Sequence, residues 1–225
     1  MAPDSPGCGI RRLPGKAQKL EPVSVKDEQV KQLTSALKKA LQDLASVGAE
    51  CALVGGLAVG VRSEPRFTRD VDLAVSVFSD EQAEQIVRAL FAKGYSLEFL
   101  LEHKRVKRIG TARLITPYHD EVFLDLLFAA CGVETEIVEG AELVTVVRGV
   151  RAKVARRGHL IAMKLLSVKS DRPQDKIDLH ELSKVATRRD WDDASQALVL
   201  IKKRGFARGR NLSAKLSALR GESFR

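Results

Sequence analysis

Aromatic residues make up only 5% of this 225-residue chain, with a single tryptophan, so platforms for stacking single-stranded bases are sparse. No apolar run approaches the roughly 20 residues that a membrane-spanning helix needs, and none is expected. The first residues, M-A-P-D-S-P-G-C-G-I-R-R-L-P-G-K, contain Pro, Gly and charge without a hydrophobic segment. They argue against a secretory signal, and residues 1–23 read as a flexible tail. Cysteine is scarce as well: Cys8, Cys51 and Cys131 are odd in number and lack metal spacing. Cys51 and Cys131 stand in apolar surroundings, as reduced core thiols of a cytoplasmic protein would. The four histidines, His103, His119, His159 and His180, have no zinc-like spacing. Ser167 and Ser170 have no adjacent histidine and acid to activate them, and Trp191 reads as a packing anchor.

Basic charge is abundant. The net charge is +9, and the surplus is uneven. From Arg148 to Arg172 eight basic residues (Arg148, Arg151, Lys153, Arg156, Arg157, Lys164, Lys169 and Arg172) face one acid, Asp171. A second basic run extends from Lys202 to Arg225. Such runs either form a solvated basic surface or attract polyphosphate or nucleic acid in a salt-dependent way. At 44% hydrophobic the chain can bury a substantial core, as one domain or as two small lobes sharing an interface.

The most informative segment is L-V-G-G-L-A-V-G-V-R-S-E-P-R-F-T-R-D-V-D-L, Leu53 to Leu73. Cys51–Val54 reads as a short buried strand, Gly55-Gly56 allows close approach of backbone to a ligand, and Leu57–Val61 can start a helix whose N–H groups attract anions. Asp70 and Asp72 then alternate on a strand, so both project from one face while Val71 and Leu73 enter the core. Paired carboxylates repel unless a cation lies between them, and hard oxygen ligands near phosphates suit Mg2+. The combination reads as a nucleotide-handling metal site. A third carboxylate, Asp125, stands inside the apolar run E-V-F-L-D-L-L-F, where an unpaired charge would be costly. A metal would resolve that cost, and so would a loop-capping role or an arginine partner.

Periodicity predicts an alternating α/β half followed by a helical half. A helix is expected over Val25–Ala45, capped by Ser24 with Asp27, then strands at Cys51–Val54 and Asp70–Val75, and a helix from Ser79 to about Lys93, stopped by Gly94. Arg105–Thr116 and Glu121–Phe128 form an expected hairpin around Pro117-Tyr118-His119-Asp120, and Glu142–Arg148 and Val150–Val154 are shorter strands around Gly149. Four helices are expected at about 159–169, 173–186, 190–204 and 210–219, with Pro173 suited to a first turn.

The glycine pair, the Asp-x-Asp and the later Asp125 together resemble nucleotidyltransferases of polymerase beta type. Within that superfamily Gly55, Gly56, Ala58, Val59, Arg62, Arg66, Thr68, Asp70, Asp72 and Leu73 match the first motif of the AbiEii-like toxin nucleotidyltransferases. Lys164, Arg172, Asp175 and Asp178 match its later motif. The resemblance covers about Glu50 to Leu182. It implies a mixed sheet flanked by helices over 24–155, an α/β (α+β) core, and a small helical C-terminal lobe over 156–225 that completes the site. It further implies Mg2+-dependent transfer of a nucleoside monophosphate from an NTP to an acceptor, with RNA, at the tRNA acceptor end, as that acceptor and an antitoxin as a restraining partner. Asp70, Asp72 and Asp125 would hold metal, and Lys164 would join them as a catalytic residue. Gly55, Gly56, Arg66, Thr68, Arg69, Asp175 and Asp178 would serve nucleotide binding, with Arg62 a weaker candidate. At 225 residues the chain is short for the family, so its C-terminal part is expected to be reduced. Gly56 stands where many superfamily members carry serine, a loss that backbone N–H groups can make good. Two other readings of the residues are a small-molecule, aminoglycoside-type nucleotidyltransferase and a non-catalytic NTP- or RNA-binding module.

Overall fold

The computed structural model describes residues 25–119, 122–168 and 173–223. The expected tail, Cys8, the Ser24 cap, Asp120, Glu121, Lys169, Ser170, Asp171, Arg172 and Arg225 lie outside the described residues.

A seven-stranded mixed sheet forms the centre. In chain order its strands are β1 (Cys51–Leu53), β2 (Val71–Val75), β3 (Ser96–His103), β4 (Arg108–Ile115), β5 (Phe123–Leu127), β6 (Glu142–Val147) and β7 (Val150–Val154), and their spatial order is β3-β4-β5-β2-β1-β7-β6. The β2–β5 and β1–β7 pairs are parallel and the others antiparallel. The strands near the middle are short apolar runs, as burial on both faces requires.

Among the described residues eight helices surround the sheet: α1 (Val25–Ser46), α2 (Gly55–Arg62), α3 (Asp80–Phe91), α4 (Glu134–Gly140), α5 (Arg157–Ser167), α6 (Pro173–Lys184), α7 (Arg188–Lys203) and α8 (Leu212–Ser223). On α1, Leu33, Leu37 and Leu44 recur at helical spacing and are buried. The Tyr95 and Tyr118 hydroxyls both donate to Asp43 Oδ2, at 3.0 and 2.9 Å, and tie α1 to the loops that open β3 and close β4. The cap of α3 forms as expected, with Ser79 accepting from the Gln82 N–H. At the start of α7 Thr187 and Asp190 make a reciprocal capping box. One continuous buried cluster runs from Leu33 to Leu216 and includes Trp191 at 2% exposure, so this tryptophan does anchor packing. No described helix is long and apolar enough to cross a membrane.

Two elements went unread in the sequence. β3 is an edge strand whose residues Ser96 to Glu102 are all exposed, including Leu97, Phe99, Leu100 and Leu101. Leu97, Phe99 and Leu101 alternate with Glu98 and Glu102, and Leu100 is the one apolar residue that interrupts this two-residue pattern. Helix α4 is under two turns long, too short to show a stripe.

Candidate active site

Asp72 is built into the glycine turn. β1 ends at Leu53 and the chain passes through Gly55, at φ +62°, directly into α2. A Cβ on Gly55 would fall 1.9 Å from Asp72 Oδ2, a position that only glycine leaves open. The Asp72 carboxylate accepts the Gly56 N–H and lies at the positive end of α2. Gly56 gives the same close approach to the following loop, where its Cβ would meet Thr68 Oγ1 and Arg66 Nη2, each at 2.8 Å. In this state the glycines cradle a carboxylate and the loop that carries it. Burial, with the like charges of Asp125 and Asp70, pushes the Asp72 carboxyl up to about 7. Asp70, immediately ahead of β2, is pushed up too, chiefly by burial.

Asp125 lies directly across from Asp72 on the parallel neighbour β5, with its residue 8% exposed. The arginine partner foreseen as one solution for this buried acid is present. Arg113, opposite Asp125 on β4, donates from Nε to Asp125 Oδ1 at 2.7 Å and from Nη2 to Asp125 Oδ2 at 2.6 Å. The same Nη2 reaches Asp70 Oδ2 at 3.3 Å. The guanidinium also sits 5.3 Å from the Phe99 ring centroid and 5.1 Å from that of Phe123.

Lys164 enters from α5. Its Nζ lies 2.8 Å from Asp175 Oδ1 and 2.7 Å from Asp178 Oδ2, both on α6 one turn apart. Ser167 Oγ donates to Asp175 and Gln174 to Asp178. Arg66 reaches across from the α2–β2 loop: Nη2 donates to Asp178 Oδ2 at 3.0 Å, while Nε approaches Oδ1 at 2.8 Å without the alignment of a hydrogen bond. The acidic face of α6 is therefore buried around Lys164, and not paired with its helical neighbour Lys176. Burial raises the Asp178 carboxyl, but the hydrogen bonds from Lys164 and Gln174 and the charges of Lys164 and Arg66 outweigh it and hold it below the usual carboxylate range. A group held down in this way adds stability above its unfolded pKa and loses it as pH falls through the folded value. Lys164→Met should therefore cost about 2 kcal/mol at neutral pH, less than the 3–5 typical of breaking a buried pair because Arg66 and Gln174 remain, and distinctly less only at about pH 2, well below the ordinary carboxylate value of 3.8. Urea midpoints at the two pH values measure the difference.

The AbiEii model, described as a nucleotidyl transferase toxin of a type IV toxin-antitoxin system, matches residues 39–224. The chain belongs to this family. The match spans both segments carrying the site, and this AbiEii-family chain is a nucleotidyltransferase. Among solved structures, it is similar to an antigenic nucleotidyltransferase-like protein from Paracoccidioides brasiliensis, at 20% identity and TM-score 0.46 over 84% of this chain and 93% of that one. It is also similar to a nucleotidyltransferase from H. pylori, at 17% and 0.41 over 90% and 98%. A third is the antibiotic-resistance factor ANT(2'')-Ia, at 16% and 0.44 over 86% and 91%. No curated protein matches the chain significantly.

In this AbiEii-family protein the structure separates the arginines of the first motif. Arg69 is exposed and, with Asp70, Thr68, Phe67, Phe123 and Gln32, lines a cavity of about 550 Å3. Arg62 is spent elsewhere: Nε and Nη2 donate to the carbonyls of Ala155 and Val154, each at 2.9 Å, and Nη1 to Glu142 at 2.8 Å. It fastens α2 to the end of β7, which corrects its expected place among the phosphate ligands. Several of the basic residues are likewise engaged by partners within the fold. Arg157 pairs with Asp190, Arg204 with Glu136, and Arg210 donates to the carbonyls of Leu166 and Val168. Arg151, Lys153, Arg188, Arg189, Lys202 and Lys203 remain exposed.

Among the described residues no three His, Cys, Asp or Glu side chains converge as a ready-made metal cage. The donor chemistry nevertheless fits a hard divalent cation. Asp72 and Asp125 are carboxylates in register on adjacent strands, and Asp70 immediately precedes β2; burial, then the like charges of Asp125 and Asp70, raises Asp72, a set of hard oxygen donors in need of positive charge. Arg113 is the site residue that sequence reasoning missed. Its signal lay in the hairpin, where Arg113 and Asp125 are each two residues in from the paired ends Ile115 and Phe123.

Proposed function

We propose that this nucleotidyltransferase moves a nucleoside monophosphate from an NTP to an RNA hydroxyl, with the tRNA acceptor end as the expected target and a cognate antitoxin as the restraint on its toxicity. The observation that carries the reading is Asp72 wedged against the glycine turn with Asp125 in register beside it, Asp70 tied to Asp125 through Arg113, and Lys164 held by Asp175 and Asp178. The acceptor oxygen forms a bond to the α-phosphorus as the bond to the β-phosphate oxygen breaks, and pyrophosphate leaves. Asp125 takes the hydroxyl proton. Mg2+, when held by Asp70, Asp72 and Asp125, would neutralise the triphosphate and the leaving group. Arg69, exposed beside Asp70, binds the β- and γ-phosphates, with Thr68 lining the same cavity. Lys164 and Arg66 add positive charge behind the carboxylates, and Asp175 and Asp178 hold them in place.

In this reading residues 24–155 supply the carboxylates and 156–225 bring Lys164 to them. RNA as the acceptor rests on the net charge of +9 and on the exposed lysines and arginines of β7 and α7. The test is incubation with Mg2+, each α-32P-labelled NTP in turn and total tRNA, beside the Asp70→Ala/Asp72→Ala variant. Label on RNA that requires both aspartates and disappears with EDTA is the expected result. Label confined to a small cationic acceptor, or none with NTP binding retained, overturns the RNA assignment.

A further inference from the structure

We infer that Arg113 is a resident counter-ion of the carboxylate cluster, and that its guanidinium must withdraw from Asp70 and Asp125 before a divalent cation is held there. The inference rests on the reading of Asp70, Asp72 and Asp125 as cation-binding. Both Asp125 oxygens are engaged by the Arg113 fork at 2.7 and 2.6 Å, and Asp70 Oδ2 is drawn to the same Nη2. A fork on one carboxylate uses the directions along which its oxygens bind a hard cation most favourably. Two positive groups on the same oxygens also repel each other. Asp125 has a further reason to be released, since an oxygen already holding a guanidinium N–H is a poor acceptor for the proton of an attacking hydroxyl.

The structure also provides a path for the withdrawal. Arg113 keeps 26% of its side chain exposed, against 12% for Asp125. Its guanidinium lies near the rings of Phe99, on the exposed edge strand, and Phe123. Those rings can hold the cation through their faces after the carboxylates let go. Cation binding and the Arg113 pairing are thus linked, each weakening the other. Arg113 acts through the carboxylates and is a positioning residue.

The experiment is calorimetric titration of the full-length, nucleotide-free protein with Mn2+ alone, with circular dichroism melts of each variant. Arg113→Gln should bind Mn2+ about tenfold more tightly than the unsubstituted protein, and Arg113→Lys should fall between, because it keeps the charge and loses the fork. If Arg113→Gln does not fold, the Arg113→Lys comparison stands alone with the same expected direction. Affinities within twofold of the parent, or weaker, overturn the inference. Asp72→Asn separates the levels. If it abolishes Mn2+ binding while the Arg113 variants bind like the parent, the inference about Arg113 fails and the metal reading stands. If Mn2+ binding ignores Asp72→Asn in every background, the carboxylates do not hold the cation and both fail.

Discussion

Asp72→Asn will abolish nucleotidyl transfer and, in the same molecule, make the metal-free fold more stable at alkaline pH. The loss follows from taking away one of the charges assigned to the cation and the triphosphate, and it should reach about a thousandfold or more. The gain follows from the enclosure of the Asp72 carboxyl beside two like charges, which lifts it from the ordinary value of 3.8 to about 7. The folded protein therefore binds a proton that the unfolded chain has already released, and stability falls as pH rises through the window from about 4 to about 7. Above that window the cost is fully present; below it the cost is absent. The whole shift would correspond to about 4 kcal/mol, but the residue is only partly covered, so relief on the order of 2 kcal/mol is expected at about pH 8. Asparagine keeps an oxygen for the Gly56 N–H and places its amide against the neighbouring carboxylates. Urea unfolding in EDTA, at about pH 8 and again at about pH 4, measures the effect. A midpoint that does not rise at the alkaline value would show that Asp72 carries no strained charge.

The difference between what was legible in the sequence and what was not follows the distance over which each residue's meaning is set. Gly55, Gly56, Asp70 and Asp72 are decided within some twenty residues, by a strand, a turn that only glycine makes and a two-residue alternation, and the structure brings them together. Asp125 was visible as a charge inside an apolar run, where the run alone favoured a cap or an arginine and only Asp70 and Asp72 turned the reading toward a metal. Arg113 becomes its partner only through hairpin register, and a one-residue slip would have put it on the other face of the sheet. Arg62 shows the opposite error. It sits inside a family motif, but its hydrogen bonds go to carbonyls more than ninety residues away, which motif position cannot reveal. The basic run from Arg148 onward read as surface charge because its partners Glu142, Asp190 and Asp193 come from β6 and α7, close in space and scattered in sequence.

Gly55→Ala should be among the most damaging single methyl additions in this chain, costing about 4 kcal/mol and most of the activity. Two effects combine in it. The first is conformational: at φ +62° an alanine is strained by about 1–2 kcal/mol wherever it stands. Gly48→Ala isolates that term, since Gly48 has φ +71° and nothing within 4 Å of its added Cβ, so it should lose only this much and retain activity. The second effect is collision. The new methyl would lie 1.9 Å from Asp72 Oδ2 and 2.6 Å from Asp72 Cβ, and Asp72 can yield only by leaving the Gly56 N–H. The excess over Gly48→Ala therefore measures how firmly the carboxylate is wedged against the turn. A double-mutant cycle makes the assignment direct: in an Asp72→Gly background the penalty of Gly55→Ala should shrink by about 2 kcal/mol, to near the Gly48 value. If the penalty is the same in both backgrounds, the glycine is required by the backbone alone, and the turn does not position the carboxylate. A shrinking penalty would mean that the glycine requirement and the Asp-x-Asp motif are one constraint, imposed by a helix that begins where an aspartate must lie.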